Sequence, residues 1–395
     1  MKSPNSPRHA GARVLSLLTL LLPWTPTAFA GSTVSAKAPA PAAPTVEESS
    51  WTDLWDLATL YKNDRNPFIQ EFKLRGRYQG QYHWLDSDQG NADGWENRRS
   101  RFGFDAKLFD KKIELRLDAE SNDEFDPIYD GLVDAYIKWK PADSFSLTVG
   151  RQKPQIGAYD WLESTNSQPT FERSQIFNQL RVDRVTGAVA AGTVEHFTWQ
   201  AGVYANDVDR EFGQLEGGLS YGAGIGYQFG ELTGLKKADL RLDWLHSDHE
   251  AEDTVLDRYD DLLSATLYLQ DGRWSLVTEA FHGSGDNASD VFGFFVQPSY
   301  DLIEKKLQLV ARYTFSTGDA PDSVIAQSRY ERTAPELTGG GRGDQYQAGY
   351  LGLQYFLNGD KLKLLAGVEY AKLEGGGNGG DFDGVTALTG IRFSF

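Results

Sequence analysis

Val385-Thr386-Ala387-Leu388-Thr389-Gly390-Ile391-Arg392-Phe393-Ser394-Phe395 closes the chain. Taken backwards from Phe395, every second residue (Phe393, Ile391, Thr389, Ala387, Val385) is apolar or tolerates an apolar neighbour. Successive side chains of a strand point to opposite faces, so these residues form one stripe that ends on an aromatic. The other stripe carries Arg392. A soluble β-protein can finish in this way by accident, so the rest of the chain has to decide.

The alternation continues almost unbroken from Phe68 onward. In the first segment Phe72, Leu74, Gly76, Tyr78, Gly80, Tyr82 and Trp84 share one face; Lys73, Arg75, Arg77, Gln79, Gln81 and His83 share the other. A second segment sets Ser100, Phe102, Phe104, Ala106 and Leu108 against Arg99, Arg101, Asp105 and Lys107. A third sets Ile113, Leu115, Leu117 and Ala119 against Glu114, Arg116, Asp118 and Glu120. Read as apolar-out and charged-in, these faces reverse a β-sandwich, whose charged face meets solvent outside. Further candidates fall near 129–139, 144–153, 184–191, 194–206, 216–229, 237–248, 259–270, 272–283, 290–301, 305–316, 344–357, 361–373 and 382–395. The total is about sixteen, an even number, as in single-chain bacterial outer-membrane barrels, and the closing strand resembles theirs.

The connections are an independent check. Mostly short turns sit at Phe109-Asp110-Lys111, Pro141-Ala142-Asp143, Ala191-Gly192-Thr193, Gln270-Asp271-Gly272 and Asn358-Gly359-Asp360. Longer segments lie between them at 86–95, 122–128, 154–183, 207–215, 249–258, 284–289, 317–343 and 374–381. Short periplasmic turns alternating with long external loops are the asymmetry of a membrane barrel, and a soluble meander has no reason for it. The expected fold is therefore all-β, a transmembrane antiparallel β-barrel over residues 67–395. Sixteen strands leave an aqueous lumen, and charged inward faces suit a wetted wall, so the expectation is a passive channel.

The N-terminal residues fit export. Lys2, Arg8 and Arg13 precede the apolar run Val14 to Leu22, and Ala28-Phe29-Ala30 has the form of a cleavage site, which makes 1–30 a signal peptide. The run is too short to span a bilayer comfortably, and no other stretch approaches twenty apolar residues. Residues 31–50 read as an Ala/Pro-rich linker. Trp51, Leu54, Trp55, Ala58 and Tyr61 fall on one face of a short amphipathic periplasmic helix over 51–63, with Ser50 as its N-cap. The chain has no cysteine, so a closed hydrogen-bonded network or a large core must hold it. A mean hydropathy of −0.47 looks soluble, but a barrel wall needs only every second residue to be apolar. A net charge of −17, made more acidic by loss of the signal peptide, excludes nucleic acid as a partner.

Segment 154–183 is rich in aromatic and amphipathic residues, and a loop of that length is usually functional. Folding inward would constrict the pore and bring Arg173, Arg181 and Arg184 to the narrowing; an external lid is the alternative. Val149-Gly150-Arg151-Gln152-Lys153-Pro154-Gln155-Ile156-Gly157, then Phe171-Glu172-Arg173-Ser174 and Arg181, together with Glu96-Asn97-Arg98-Arg99-Ser100-Arg101-Phe102-Gly103, resemble the phosphate-selective porin O/P family. That resemblance implies a sixteen-stranded homotrimeric porin of a Gram-negative-type outer membrane. It also implies that the third external loop lies in the lumen and that inward arginines and lysines pass anions.

Inward basic candidates are Lys73, Arg75, Arg77, Arg99, Arg101, Lys107, Arg116, Arg241, Arg312 and Arg392. Inward acids are nearly as many: Glu71, Asp105, Glu114, Asp118, Glu120, Asp134, Asp239, Asp243, Glu279 and Glu369. The clearest basic patch is Lys73, Arg75, Arg77, Arg99 and Arg101, since clustered guanidinium groups bind phosphate or carboxylate by paired donors. The selectivity set expected from the sequence is Lys73, Arg75, Arg77, Arg99, Arg101, Arg116, Arg173, Arg181 and Arg184. A general or weakly cation-selective porin, or a passage for sugars, follows if neighbouring acids cancel that field.

Other motifs carry less. Asp86 to Gly94 resembles a calcium loop, yet its spacing breaks after Asp88 with no closing Glu. His246 and His249, with Asp248 between them, lack a further zinc ligand of suitable spacing. Gly222-Ala223-Gly224-Ile225-Gly226 lies within a strand pattern and is no dinucleotide fingerprint. Arg342-Gly343-Asp344 and the sequon at Asn287 read as chance. A Ser-His-acid enzyme site on the outer wall would need His282 with Ser275 or Ser264 facing lipid, and no matching serine emerges. A structural envelope anchor would rest only on the linker and the short helix. The expectation is a channel with no catalytic site, cofactor or metal, and with lipid and small hydrophilic solutes or anions as partners.

Overall fold

The computed structural model describes residues 50–121, 125–208, 211–212, 218–248, 256, 258–286, 288–327, 331, 341–375 and 381–395. The expected signal peptide, nearly all of the linker, His249 and Asn287 lie outside the described residues.

Sixteen strands form the wall: β1 (Ile69–Ser87), β2 (Gly90–Leu108), β3 (Ile113–Ser121), β4 (Gly131–Ala142), β5 (Phe145–Gln152), β6 (Val185–Val194), β7 (Phe197–Ala205) and β8 (Leu219–Gln228), then β9 (Lys237–Ser247), β10 (Asp261–Asp271), β11 (Trp274–Gly285), β12 (Ala288–Ile303), β13 (Leu307–Gly318), β14 (Gln345–Asn358), β15 (Leu362–Glu374) and β16 (Phe382–Ser394). Each pairs antiparallel with the next, and β16 pairs with β1, placing Ala387 opposite Trp84 and Phe393 opposite Tyr78. The sheet is closed, which removes the edge that would otherwise leave backbone groups unpaired in lipid.

The side chains are arranged inside out relative to a soluble protein. Ile137, Ile225, Leu242, Leu351 and Val368 are exposed, while Gln79, Asp243, Glu279, Arg312, Lys363 and Arg392 are buried on the opposite stripe. Along β16 the expected outward residues Val385, Ala387, Thr389, Ile391 and Phe393 alternate with the inward, buried Thr386, Leu388 and Arg392. An apolar face in contact with lipid and a polar face turned to the lumen explain both stripes.

Two expected long connections are tight. The strand ladder runs to Ser87 and resumes at Gly90, so only Asp88 and Gln89 separate β1 from β2. Likewise Gly285 and Ala288 flank the turn between β11 and β12. The polar stretch 86–95 loses its apolar stripe because it stands above the bilayer, where both faces meet water and the ladder needs none. At 19 residues each, β1 and β2 reach roughly 65 Å, well beyond an apolar band of about 25 Å. The turn expected at 191–193 falls later, at Glu195-His196. Connection 153–184, described throughout, stands where a long external loop was expected.

The N-terminal helix is shorter than expected: a 3-10 helix spans Ser50–Ala58, and Thr59–Lys62 is a strand. At three residues per turn, Trp55 and Ala58 share the buried face, whereas Leu54 points away and is 61% exposed. Trp55 packs edge-on against Phe393 at 5.7 Å, and its Nε1 donates to the Ser394 carbonyl at 2.6 Å. Thr59–Lys62 pairs with β1 at Glu71–Lys73, below the point where β16 stops at Arg77. The strand thus takes over the β1 edge that the last strand leaves open.

Candidate functional site

Segment 154–183 is tied to the polar stripe of many strands. Gly157 N–H donates to Ser264 Oγ on β10 at 3.1 Å, and the Tyr159 and Asp160 amides donate to Glu279 Oε2 on β11 at 2.8 and 3.2 Å. Gly157 has φ +62°, and a Cβ there would lie 2.9 Å from Glu279 Oε1, so only glycine makes this turn against the carboxylate. Lys363 on β15 donates to the Gln168 carbonyl, Arg392 on β16 to that of Phe171, and Arg312 on β13 to that of Glu172. Asp160 accepts from the Ser174 amide and hydroxyl, which fastens the segment to itself ahead of a helix, α1 (Gln175–Leu180).

Glu172 is the most heavily held residue. Arg98 grips its carboxylate with two donors at 2.7 and 3.0 Å, Gln81 donates at 3.0 Å, and Arg99 stands at 4.0 Å. A β-bulge makes this possible. Gln79 faces Arg99 and Gly80 faces Asn97, so the register skips Arg98. Strict alternation would turn Arg98 outward; the bulge brings it to the same carboxylate that Arg99 approaches. Burial pushes the Glu172 carboxyl upward, but Arg98 and Arg99 overcome this and hold it well below the usual carboxylate range.

A second knot forms around Trp161. Lys153 Nζ lies 4.8 Å from its ring centroid, Arg173 Cζ 5.3 Å and Arg184 Cζ 5.4 Å. Lys153 also donates to the carbonyls of Trp161, Leu162 and Glu163, and Arg173 to those of Asp160 and Trp161. Burial, and then the like charges of Arg173 and Arg184, push the Lys153 ammonium down to about 5. Burial likewise lowers Arg173, to about 9.

Not all of the inward stripe is polar, contrary to expectation. Leu245, Leu262, Val277, Phe281 and Phe295 on β9–β12 pack with Ile156, Trp161, Ile176 and Leu180 in one buried cluster. The open volume lies along other strands. A cavity of about 1050 Å³ is lined by side chains of β1–β6 and of segment 154–183. It gathers Arg75, Arg77, Arg99, Arg101, Arg116, Arg173, Arg181 and Arg184, eight of the nine expected residues. Lys73 lines a second cavity of about 510 Å³, beside the Asn358–Lys361 turn and Phe395; Arg75, Arg77, Arg101, Asp118 and Ser164 border both cavities. Sequence reasoning missed Arg98, Lys138 and Lys153 as lining residues. An arginine at position 98, where a lipid-facing residue was due, was the available signal for the first.

In all, eleven basic and four acidic side chains line the larger cavity. Several are ion-paired: Arg75 to Asp118 and Asp105, Arg101 to Glu120, Arg116 to Asp105, Arg184 to Asp134. Arg77 differs. It donates only to the hydroxyls of Thr165 and Ser164, at 3.1 and 3.3 Å, with no carboxylate partner among the described residues. Arg101 Nε is buried and unbonded.

The remaining motifs resolve simply. Asp86 and Asp93 sit in strand pairs, Tyr82 donates to Asp93, and the described residues contain no metal-sized cluster of three or more ligands. His246 is bonded to Asp248 and Asp261. Ser264 is buried on the inward stripe whereas His282 is 44% exposed beside Asp290, so the two are on opposite faces of the wall.

A closed sixteen-strand barrel with an apolar outer band, a long segment bonded to its polar stripe and a large charged cavity is an outer-membrane porin of the Gram-negative type. Residues 72–226 match the family described as phosphate-selective porin O and P, the family that the sequence motifs resemble. No curated protein matches the chain. Among solved structures, OprB of Pseudomonas putida is similar at a TM-score of 0.62 and 12% identity, over 82% of this chain and 94% of that one. The anion-selective porin from Comamonas acidovorans gives 0.56 at 12%, over 82% and 99%. The trimer form of OmpT, an outer membrane protein of Vibrio cholerae, gives 0.52 at 14%, over 82% and 99%. At these identities the likeness is one of fold.

Proposed function

We propose that this porin passes small hydrophilic solutes by passive diffusion with a preference for anions, along a conduit that segment 154–183 narrows by folding into the lumen. The excess of basic over acidic side chains around the larger cavity carries the reading, in a chain whose net charge is −17. Bonds from the segment to inward side chains of β1, β10, β11, β13, β15 and β16 support its position across the pore. In a narrow channel, fixed guanidinium groups replace part of an anion's hydration shell and repel cations. Arg77 and Arg101 stand opposite each other in register and border both cavities, so a solute moving between the cavities passes them. The acids paired with Arg75, Arg116 and Arg184 offset much of the field of those three, and Glu120 offsets part of that of Arg101. A homotrimer and a non-enzymatic role complete the proposal; the trimer form of the OmpT relative supports the first.

The test is the zero-current potential of the purified protein in planar bilayers under a salt gradient. An anion-selective potential that falls several-fold in permeability ratio on exchanging Arg77 and Arg101 for Gln is expected. A cation-selective potential, or one unmoved by the exchange, overturns the assignment in favour of a general porin. Absence of conductance returns the reading to an envelope anchor.

A further inference from the structure

We infer that the 3-10 helix Ser50–Ala58 lies along the inner leaflet of the outer membrane, with its leucine flank set into lipid, and so anchors the lower rim of the barrel. This does not depend on which solutes the channel passes.

The helix sits on the lipid side of the wall. Phe393 belongs to the outward stripe of β16, whose inward neighbour Arg392 is buried. Trp55 packs on that outward ring, which excludes a place in the lumen. The same contact fixes the level. The Ser394 carbonyl accepts from Trp55, and its amide donates to the Lys361 carbonyl, beside one of the short turns that mark the periplasmic rim. Aromatic rings gather there. Phe393 stands 5.8 Å from Phe395, and Phe72 on β1 stacks on Phe104 of β2 at 5.3 Å. Tyr61, shortly after the helix, faces Phe72 in register. A belt of this kind marks a membrane–water boundary.

The helix is sorted for that boundary. Three residues per turn make three columns. Trp55 and Ala58 are buried against the wall. Asp53 and Asp56 form one exposed flank; Leu54 and Leu57, at 61% and 72% exposure, form the other. Leu60 follows in the strand beyond and is exposed as well. Carboxylates on one flank and leucines on the other suit a helix lying along a lipid surface, where the leucines leave water and the carboxylates stay in it. The surface they reach is continuous with the wall's own lipid-facing band, whose Leu74 and Phe102 on β1 and β2 are likewise exposed.

The chain has no cysteine, so a single spin label reports one site. The measurement is the accessibility of such labels, by electron paramagnetic resonance, to oxygen and to a nickel chelate, on the whole porin in phosphatidylcholine vesicles. Labels go to Leu54→Cys, Leu57→Cys and Asp56→Cys, with Leu242→Cys on the outward face of β9 as the lipid reference. The oxygen-to-nickel ratio at Leu54→Cys and Leu57→Cys is expected to match the reference and to exceed that at Asp56→Cys about tenfold, because hydrocarbon admits oxygen and rejects the polar chelate. Two leucine sites, read in preparations that keep the parent conductance, prevent a local defect in one variant from deciding the result. A ratio at both leucine sites as low as at Asp56→Cys puts the flank in water and overturns the inference. Exclusion of both probes means that protein covers the flank, as in contact between copies of the chain, and overturns it too.

Discussion

Lys153 carries a charge that depends on its surroundings. Its folded value of about 5 lies far below the roughly 10.4 of an unfolded lysine. The unfolded chain therefore binds more protons between those two values, and Lys153 makes stability rise with pH across that window. The functional sign is the reverse. Burial favours the uncharged amine at neutrality, against the three carbonyls that favour the ammonium; as pH falls through about 5 the ammonium prevails and the cavity gains a positive charge. Anion preference is expected to grow between pH 6 and pH 4, and to grow less in Lys153→Met. Equal slopes in the two proteins, read from zero-current potentials, would remove Lys153 from the conduit. This residue was legible only as part of the Gly150-Arg151-Gln152-Lys153 motif, because its position beside Trp161 depends on where the chain turns after β5. Arg77 and Arg101, by contrast, were legible from alternation alone, since period two leaves an inward residue no other side to face.

At the scale of elements, Glu172 is the most heavily held point of the segment between β5 and β6. Arg98, Arg99 and Gln81 converge on Glu172 across a bulge, and the carboxylate is buried with them. Breaking a buried pair by removing one partner typically costs about 3–5 kcal/mol, because the other charge is left uncompensated. Glu172→Gln is therefore expected to loosen the segment while the wall stays closed. Single-channel recordings should show larger and noisier conductance, with strand content by circular dichroism unchanged. Conductance equal to the parent would mean that the carbonyl contacts of Lys363, Arg312 and Arg392 suffice. Strand positions were readable along most of the chain because lipid demands one apolar stripe in every strand. The tops of β1 and β2 were not, because above the bilayer that demand lapses while the ladder continues. Nor was the apolar inward stripe of β9–β12, whose role exists only once Ile156, Trp161 and Ile176 arrive to cover it.

For the whole molecule, closure is the decisive event. Trp55 reaches Phe393 and Ser394 at the seam where β1 meets β16, and Thr59–Lys62 covers the β1 edge beneath. Trp55→Ala removes a buried aromatic, a change that costs about 3–5 kcal/mol in well-packed sites. The expected outcome is a lower melting temperature of the detergent-solubilised barrel with ion selectivity retained. An unchanged melting temperature would make the contact incidental.

The seam also sets a timetable. Every other pairing in the wall joins neighbours in the chain and can form as a local hairpin, but Trp84 meets Ala387 across some three hundred residues. Until β16 is in place, β1 offers one bare edge and the sheet grows with another. An unclosed sheet is open to pairing with any passing strand. Closing is thus the slow, last step. Between export and insertion this chain must travel as a set of incomplete hairpins whose aggregation has to be held off from outside.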